Sequence, residues 1–303
     1  MIYTVTLNPA LDYVLKVGLL SSDDINRAES EAIYYGGKGI NVSVILTRLG
    51  IENKALGFIG GFTGRELERR LKADGISCDF NFLENGTTRI NVKIKAREEI
   101  DINAEGPLIT EADFSKLLNK LDAVKKGDYL ILAGSAGNGL SEDIYERIMK
   151  RTSDKGVNFV VDASGNLLIN ALKYKPFLIK PNHHELGALF GAEANTDAKV
   201  EEYAKRLQKA GAKNVLVSRS EKGAMLIDEN GEVLKIGTVN GKLLNSVGCG
   251  DSMVGGFVAG YLKSGDYSYS LRLGAACGNA TAYSEGLAEK AEIERIFNML
   301  KTD

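Results

Sequence analysis

The sequence predicts an α/β protein: a parallel-sheet core with helices on both faces and a small antiparallel β lid. Three observations carry this. Beyond Pro107, short apolar strands alternate with longer helical segments, the order that builds a parallel sheet covered on both sides. Arg89–Lys95 (RINVKIK) alternates with period two and is followed by a turn, the pattern of a hairpin with one wet face. Glycine, 34 of 303 residues, falls in clusters at strand-to-helix turns, where the backbone must come close to something.

Taken in order, Ile2–Leu7 reads as a strand stopped by Asn8-Pro9. Residues 12–35 are strand-like and interrupted, and Gly36-Gly37-Lys38-Gly39 then opens a helix from Asn41 to about Arg48. Ala55–Ile59 is a short strand, Gly64–Ala73 a charged amphipathic helix, and Glu99–Asn103 the partner of Arg89–Lys95. Then come the helix Asp113–Val124, the strand Tyr129–Leu132, the helix Ser141–Arg151, and strands Phe159–Asp162 and Phe177–Lys180. Helices near His184–Phe190 and Lys199–Ala210, the strand Val215–Ser218, a hairpin around Ala224–Leu234, and helices Asp251–Lys263 and Leu271–Tyr283 close the reading. We expect one α/β domain over residues 1–303, with the lid formed by about 12–35 and 88–104.

Composition removes several classes. Lysine plus arginine number 38 and aspartate plus glutamate 40, so there is no broad attraction to nucleic acid or anionic lipid. Cys78, Cys249 and Cys277 are scattered and unpaired in spacing, which points to a reducing cytoplasm. No signal peptide is evident, and uncharged runs reach only 13 residues (Tyr129–Ser141), short of the roughly 18 a membrane span needs. His183 and His184 are neighbours and make no HExxH site. The P-loop, the GxGxxG dinucleotide loop and the protein-kinase signatures are absent.

Ser246-Val247-Gly248-Cys249-Gly250-Asp251-Ser252 precedes an apolar helix. Converging N–H groups at a helix start can cradle a phosphoryl group, and a carboxylate there suits a base facing a nucleophilic hydroxyl. The plainer reading makes Asp251 a helix N-cap. Gly36–Asn41 poses the same choice, between turn geometry with a solvated Lys38 and a platform for a polyol held by Asn41. Asp12 is either a turn residue or a further hydroxyl ligand.

Together these segments resemble the ribokinase-like (PfkB-type) carbohydrate kinases nearly end to end. The landmarks are Thr6-Leu7-Asn8-Pro9-Ala10-Leu11-Asp12, Gly36–Asn41, Lys180-Pro181-Asn182-His183-His184-Glu185 and Val247–Asp251, in that order. The resemblance implies ATP as donor, Mg²⁺, a monovalent cation as a further option, and transfer to a sugar hydroxyl. It implies Asp251 as base and Gly248, Cys249 and Gly250 as phosphoryl ligands. Asp12, Gly36, Gly37, Asn41 and Ser135 fall on the acceptor side. Asn182 and Glu185 would organise the metal. Lys180, Asn182, Ser218, Ser220, Gly223 and Asn279 fall on the nucleotide side, although Arg219 and Ser220 depart from the usual glycine-rich loop. Cys249 stands where many relatives carry alanine, and only its N–H is needed.

Arg27, Lys38 and Arg89 would gather three cations around a phosphate already on the acceptor. The other reading leaves Arg27 and Arg89 as solvated lid residues. The Asn8–Asp12 opening, Thr88–Lys93 and Lys175–Leu186 most resemble the family's kinases of fructose 1-phosphate. That resemblance implies fructose 1-phosphate as acceptor, giving fructose 1,6-bisphosphate, with tagatose 6-phosphate as the rival. A sugar-phosphate or nucleotide sensor on the same fold is the alternative from another class, disfavoured because binding alone needs no base. No nucleic-acid or membrane partner is expected. A small sheet carrying Val14, Leu15, Val17, Ile33, Ile90, Val92 and Ile94 predicts a homodimer through the lid, set against a lid that folds only on its own site.

Overall fold

The computed structural model describes residues 1–301. The first part of the chain runs β1 (Ile2–Thr6), β2 (Ala10–Lys16), β3 (Ser30–Gly36), α1 (Lys38–Arg48), β4 (Asn53–Gly60), α2 (Gly61–Ala73), β5 (Asn81–Leu83), β6 (Arg89–Lys95) and β7 (Glu99–Ile102). The middle continues with α3 (Glu111–Leu121), β8 (Tyr129–Ala133), α4 (Ile144–Thr152), β9 (Asn158–Asp162), α5 (Gly165–Ala171), β10 (Leu178–Ile179), α6 (His183–Leu189) and α7 (Asp197–Lys209). The last part holds β11 (Asn214–Ser218), β12 (Ala224–Ile227), β13 (Val233–Ile236), α8 (Cys249–Ser264), α9 (Tyr267–Ala282) and α10 (Lys290–Met299).

Nine strands form the main sheet in the order β13-β12-β11-β10-β9-β8-β1-β4-β5. From β11 to β5 every pair is parallel, and the β12–β13 hairpin adds an antiparallel edge. Because the strands are buried on both faces, their apolar runs are continuous rather than alternating. Leu130, Leu132, Phe159, Val161, Val215 and Val217 pack on one side with Phe114, Tyr145, Ile148 and Tyr203 from α3, α4 and α7. Ile131, Val160, Leu178 and Leu216 face the other way, onto Val42, Ile45, Val254, Phe257 and Leu271 from α1, α8 and α9. The glycines inside α8 let its neighbouring helices come close: a Cβ at Gly256 would lie 2.7 Å from the Leu273 carbonyl of α9, and one at Gly255 3.1 Å from Ile45 of α1. Parallel order places the last residues of β1, β8, β9, β10 and β11 along one edge, where open α/β sheets bind ligands.

The lid is a separate four-stranded sheet, β3-β2-β6-β7. Its two hairpins are antiparallel as expected, while β2 and β6, the seam joining them, run parallel. Cross-strand pairing sorts its faces. Tyr34–Asp12–Asn91 and Ala32–Val14–Lys93–Asp101 lie on one face, and Ile33–Tyr13–Val92–Ile102 with Leu15–Ile94–Ile100 on the other.

Three elements lie outside the sequence reading. β5 has three residues and α5 seven, too short for any period to show. α10 was legible, since Ile293, Ile296 and Leu300 recur at helical spacing and are buried.

Candidate active site

Two glycine-started helices meet at the strand ends. Gly248 precedes α8 with φ 79°, a left-handed conformation, and a Cβ there would lie 2.6 Å from Leu287 Cδ2. Gly37 precedes α1 with φ 120°, hard against Thr6 and Pro9. Neither helix has a side-chain cap, so the N–H groups of both first turns stay open at the positive end of the helix dipole.

Asp251, in the first turn of α8, is only 6% exposed. Its Oδ2 accepts a hydrogen bond from Asn41 Nδ2 of α1 at 2.8 Å, and Oδ1 has no partner among the described residues. Its side chain bonds no N–H of its own helix, so the plain cap reading does not describe it. Burial and then the Asp162 charge push its pKa up to about 6, against the opposing pull of Lys38, Asn41 and Lys180.

Asp162 ends β9 and is 1% exposed. Lys38 Nζ lies 3.0 Å from its Oδ1 and Lys180 Nζ 3.5 Å from the same oxygen, while Oδ2 is buried without a partner. An unsatisfied buried oxygen of this kind costs about 1–3 kcal/mol, more when charged. Burial alone would raise Asp162, but the two lysines hold it below the ordinary carboxylate range. Burial likewise opposes the charge on Lys38, and Asp162 and then Asp251 overcome it, holding the ammonium above its usual value. Lys180 continues over the start of α8: a Cβ at Gly250 would lie 3.0 Å from its Nζ. Asp162 was not among the residues chosen from sequence. A lone aspartate closing a predicted strand was the one available signal.

On the lid side, Asp12 Oδ1 accepts from Asn91 Nδ2 at 2.7 Å, and both residues are buried. Gly36 makes room for that carboxylate, whose Oδ2 lies 2.7 Å from where a Cβ would be. Asn91 is a second residue that sequence reading passed over. Asp12, Asn41, Lys93, Lys95 and Val247 line a groove of about 1420 Å³ between lid and core. Lys95 Nζ crosses it to the Leu244 carbonyl at 3.1 Å.

The structure does not gather the three expected cations. Lys38 is committed to Asp162, and Arg89 donates to the Asn8 and Ala104 carbonyls at 3.2 and 3.1 Å. Arg27 lies in the exposed β2–β3 loop beside Ile25, and Ser135 is exposed just past β8. The lid lysines Lys93 and Lys95 line the groove instead, together with Lys16, Arg48, Arg69 and Arg70, and Lys93 Nζ lies 3.4 Å from Asp101 Oδ2.

On the opposite side, Asn182 and Glu185 form a reciprocal capping box at the start of α6. Asn182 Oδ1 accepts from Glu185 N, and Glu185 Oε2 from Asn182 N, both at 2.8 Å. Ser218 is bridged to Asn182, and Ser220 takes φ 52° in the turn that Gly223 (φ 77°) completes. Asn279 accepts from Val239 N and donates to the Ala275 carbonyl, pinning the 237–248 loop to α9. Burial and Asp251 push the Cys249 thiol up to about 12, which leaves it a poor nucleophile. No group of three metal-ligating His, Cys, Asp or Glu side chains occurs among the described residues. Glu185 Oε1 lies outside the capping box, a single hard oxygen of the kind that holds Mg²⁺ through water beside phosphates.

This arrangement pairs a buried carboxylate of raised proton affinity with open N–H groups and two lysines, a setting for moving a proton while stabilising phosphoryl charge. Comparison with known proteins agrees. Residues 5–294 match the pfkB family carbohydrate kinase model. The chain is 42% identical over 301 residues to the 1-phosphofructokinase of Bacillus subtilis, covering 99% of each. It is 36% identical over 302 residues to the D-tagatose-1-phosphate kinase of Bacillus licheniformis, again covering 99% of each. The solved structure of Escherichia coli phosphofructokinase-2 in complex with substrates and products superposes with a TM-score of 0.93 at 27% identity, covering 98% of both chains. The chain belongs to the pfkB family of carbohydrate kinases.

Proposed function

We propose that the protein transfers the γ-phosphoryl group of ATP to fructose 1-phosphate, giving fructose 1,6-bisphosphate and ADP. The observation that carries the transfer is Asp251, buried, raised to about 6, with one oxygen held by Asn41 and the other open beside the uncapped first turn of α8. The likeness to the B. subtilis 1-phosphofructokinase supports the acceptor. Asp251 takes the proton of the acceptor hydroxyl. That oxygen bonds to phosphorus as the bond to the ADP oxygen breaks. The N–H groups of Gly248, Cys249 and Gly250, with Lys180, meet the charge on the transferring group. Asp12, Asn91 and Asn41 hold the acceptor hydroxyls, Gly36 and Gly37 let the chain come close, and Lys93 and Lys95 face its phosphate. Arg89 keeps the lid in register, and Ser135 and Arg27 fall on the acceptor side by resemblance alone. Asn182, Ser218, Ser220, Gly223 and Asn279 shape the nucleotide side. Mg²⁺ would supply charge neutralisation for the phosphates when bound, and Glu185 would hold it; a monovalent cation is a further ligand to test.

The B. licheniformis relative favours a second acceptor, tagatose 1-phosphate. A coupled ADP-release assay separates the readings, using fructose 1-phosphate, tagatose 1-phosphate, tagatose 6-phosphate, fructose 6-phosphate and ribose with Mg²⁺, in K⁺ and in Na⁺. We expect the highest kcat/KM with fructose 1-phosphate; preference for either tagatose phosphate replaces this assignment, and no turnover with any acceptor makes the protein a sensor. We read the chain as one cytoplasmic α/β domain whose lid pairs with a second copy, since Ile33, Ile90, Ile100 and Ile102 stand exposed on one lid face. Sedimentation of a monomer at micromolar concentration removes the dimer.

A further inference from the structure

We propose that Asp162 is the positioning residue of this site: it clamps the Lys38 and Lys180 ammoniums on the phosphate side and keeps Lys38 from closing onto Asp251. The inference rests on reading Asp251 as the base. Four charges, two of each sign, share one cluster, in which Asp162 is 1% and Asp251 6% exposed. Lys38 feels both carboxylates and is hydrogen-bonded to Asp162 alone. Asp251 Oδ2 is already taken by Asn41, so an ion pair from Lys38 would occupy Oδ1, the oxygen that must receive the proton.

The anchor is rigid. Asp162 closes a strand paired on both sides; its carbonyl accepts from Gly134 N at 3.0 Å, and Lys180 N donates to Val161 at 3.2 Å. Lys180 leaves the next parallel strand beside it. Both lysines crowd one oxygen of Asp162 while the other lies buried and unpartnered. Buried polar groups selected for stability are normally satisfied, so this arrangement points to a task in placing charge.

The test is a double-mutant cycle of wild type, Asp162→Asn, Lys38→Met and the double variant. It reads kcat, both KM values and melting temperature, with activity normalised to titrated nucleotide sites. An opposite charge in contact changes a carboxylate's proton affinity by about 10- to 1000-fold. We expect Asp162→Asn to lower kcat within that range in the wild-type background, with the KM for fructose 1-phosphate little changed. In the Lys38→Met background we expect the same change to cost at least tenfold less. Equal losses in both backgrounds, or activity restored by raising Mg²⁺, overturn the clamp. Should Asp162→Asn fail to fold alone, the double variant against Lys38→Met decides, and near-equal kcat supports the clamp while a large further loss overturns it. Asp251→Asn, measured alongside, keeps the two readings apart. Activity there removes the base and the clamp with it, whereas an inactive Asp251→Asn with an uncoupled cycle removes only the clamp.

Discussion

The helices α6 and α8 start at the same edge of the sheet, and each carries an acid three residues after its N-cap. In α6 the cap is Asn182, and Glu185 turns back to bond its N–H, so the helix satisfies itself. In α8 the cap is Gly248, which offers no side chain, and Asp251 turns away to Asn41 of another helix. One missing side chain leaves the first-turn N–H groups of α8 unclaimed and frees a carboxylate for chemistry. The contrast teaches that the residue at the cap, more than the acid itself, decides whether a helix start is closed structure or an open anion site.

The strongest way to break this contrast is Asp251→Asn, which keeps the volume and removes the base. We expect kcat to fall about 10²- to 10⁴-fold with ATP binding retained. Retained turnover would show that the freed carboxylate has no chemical task.

The same variant sharpens the comparison through pH. Asp251 has its folded-state pKa raised from 3.8 to about 6, so the folded protein holds this proton more tightly than the unfolded chain. Its stabilising contribution is full below about pH 4 and is lost as pH rises through about 6. Asp251→Asn is therefore expected to melt above wild type at pH 7, by the equivalent of about 1–3 kcal/mol, and level with it at pH 4. The kcat/KM of the wild type is expected to rise through the same pH as the base ionises. Melting curves and rate profiles between pH 4 and 8 check both signs.

Gly250→Ala adds only a methyl group within the open turn, 3.0 Å from the movable end of Lys180. We expect the fold to hold, and kcat/KM for ATP to drop about tenfold through loss of roughly one charge-assisted contact. An unchanged value removes Lys180 from the phosphate path.

At α6 the effects are smaller. Glu185→Gln keeps an oxygen for the capping box, so melting is expected to stay within about 0.5 kcal/mol while the Mg²⁺ needed for half-maximal rate rises. Glu185→Ala loses the box as well, at about 1 kcal/mol. Equal Mg²⁺ requirements in wild type and both variants would make the pair wholly structural. Smallest of all, Lys95→Met removes one cation of the groove and cuts the contact from lid to the 237–248 loop. We expect a rise of about two- to fivefold in the acceptor KM with the KM for ATP little changed, checked by steady-state kinetics.

The sequence by itself determined the alternation of elements, the two glycine loops, the amphipathic lid strands and the family resemblance. Each is a local property, set by backbone freedom at glycine or by side-chain period along one segment. It also placed Asp251, Asp12 and Asn41 as candidates. The partners of those residues were decided only by the tertiary structure. Asp162 meets Lys38 and Lys180 because β9 and β10 are neighbours in a parallel sheet and α1 starts above them, and no local pattern reports which strand ends adjoin. Lys38, Arg27 and Arg89 looked like one cluster because all three are cationic and flank the lid, yet Lys38 was drawn to a buried carboxylate and Arg89 to two open carbonyls. Charge is visible in a sequence, whereas its nearest opposite charge is a property of the fold, because a buried ion takes whatever partner the packing puts within reach.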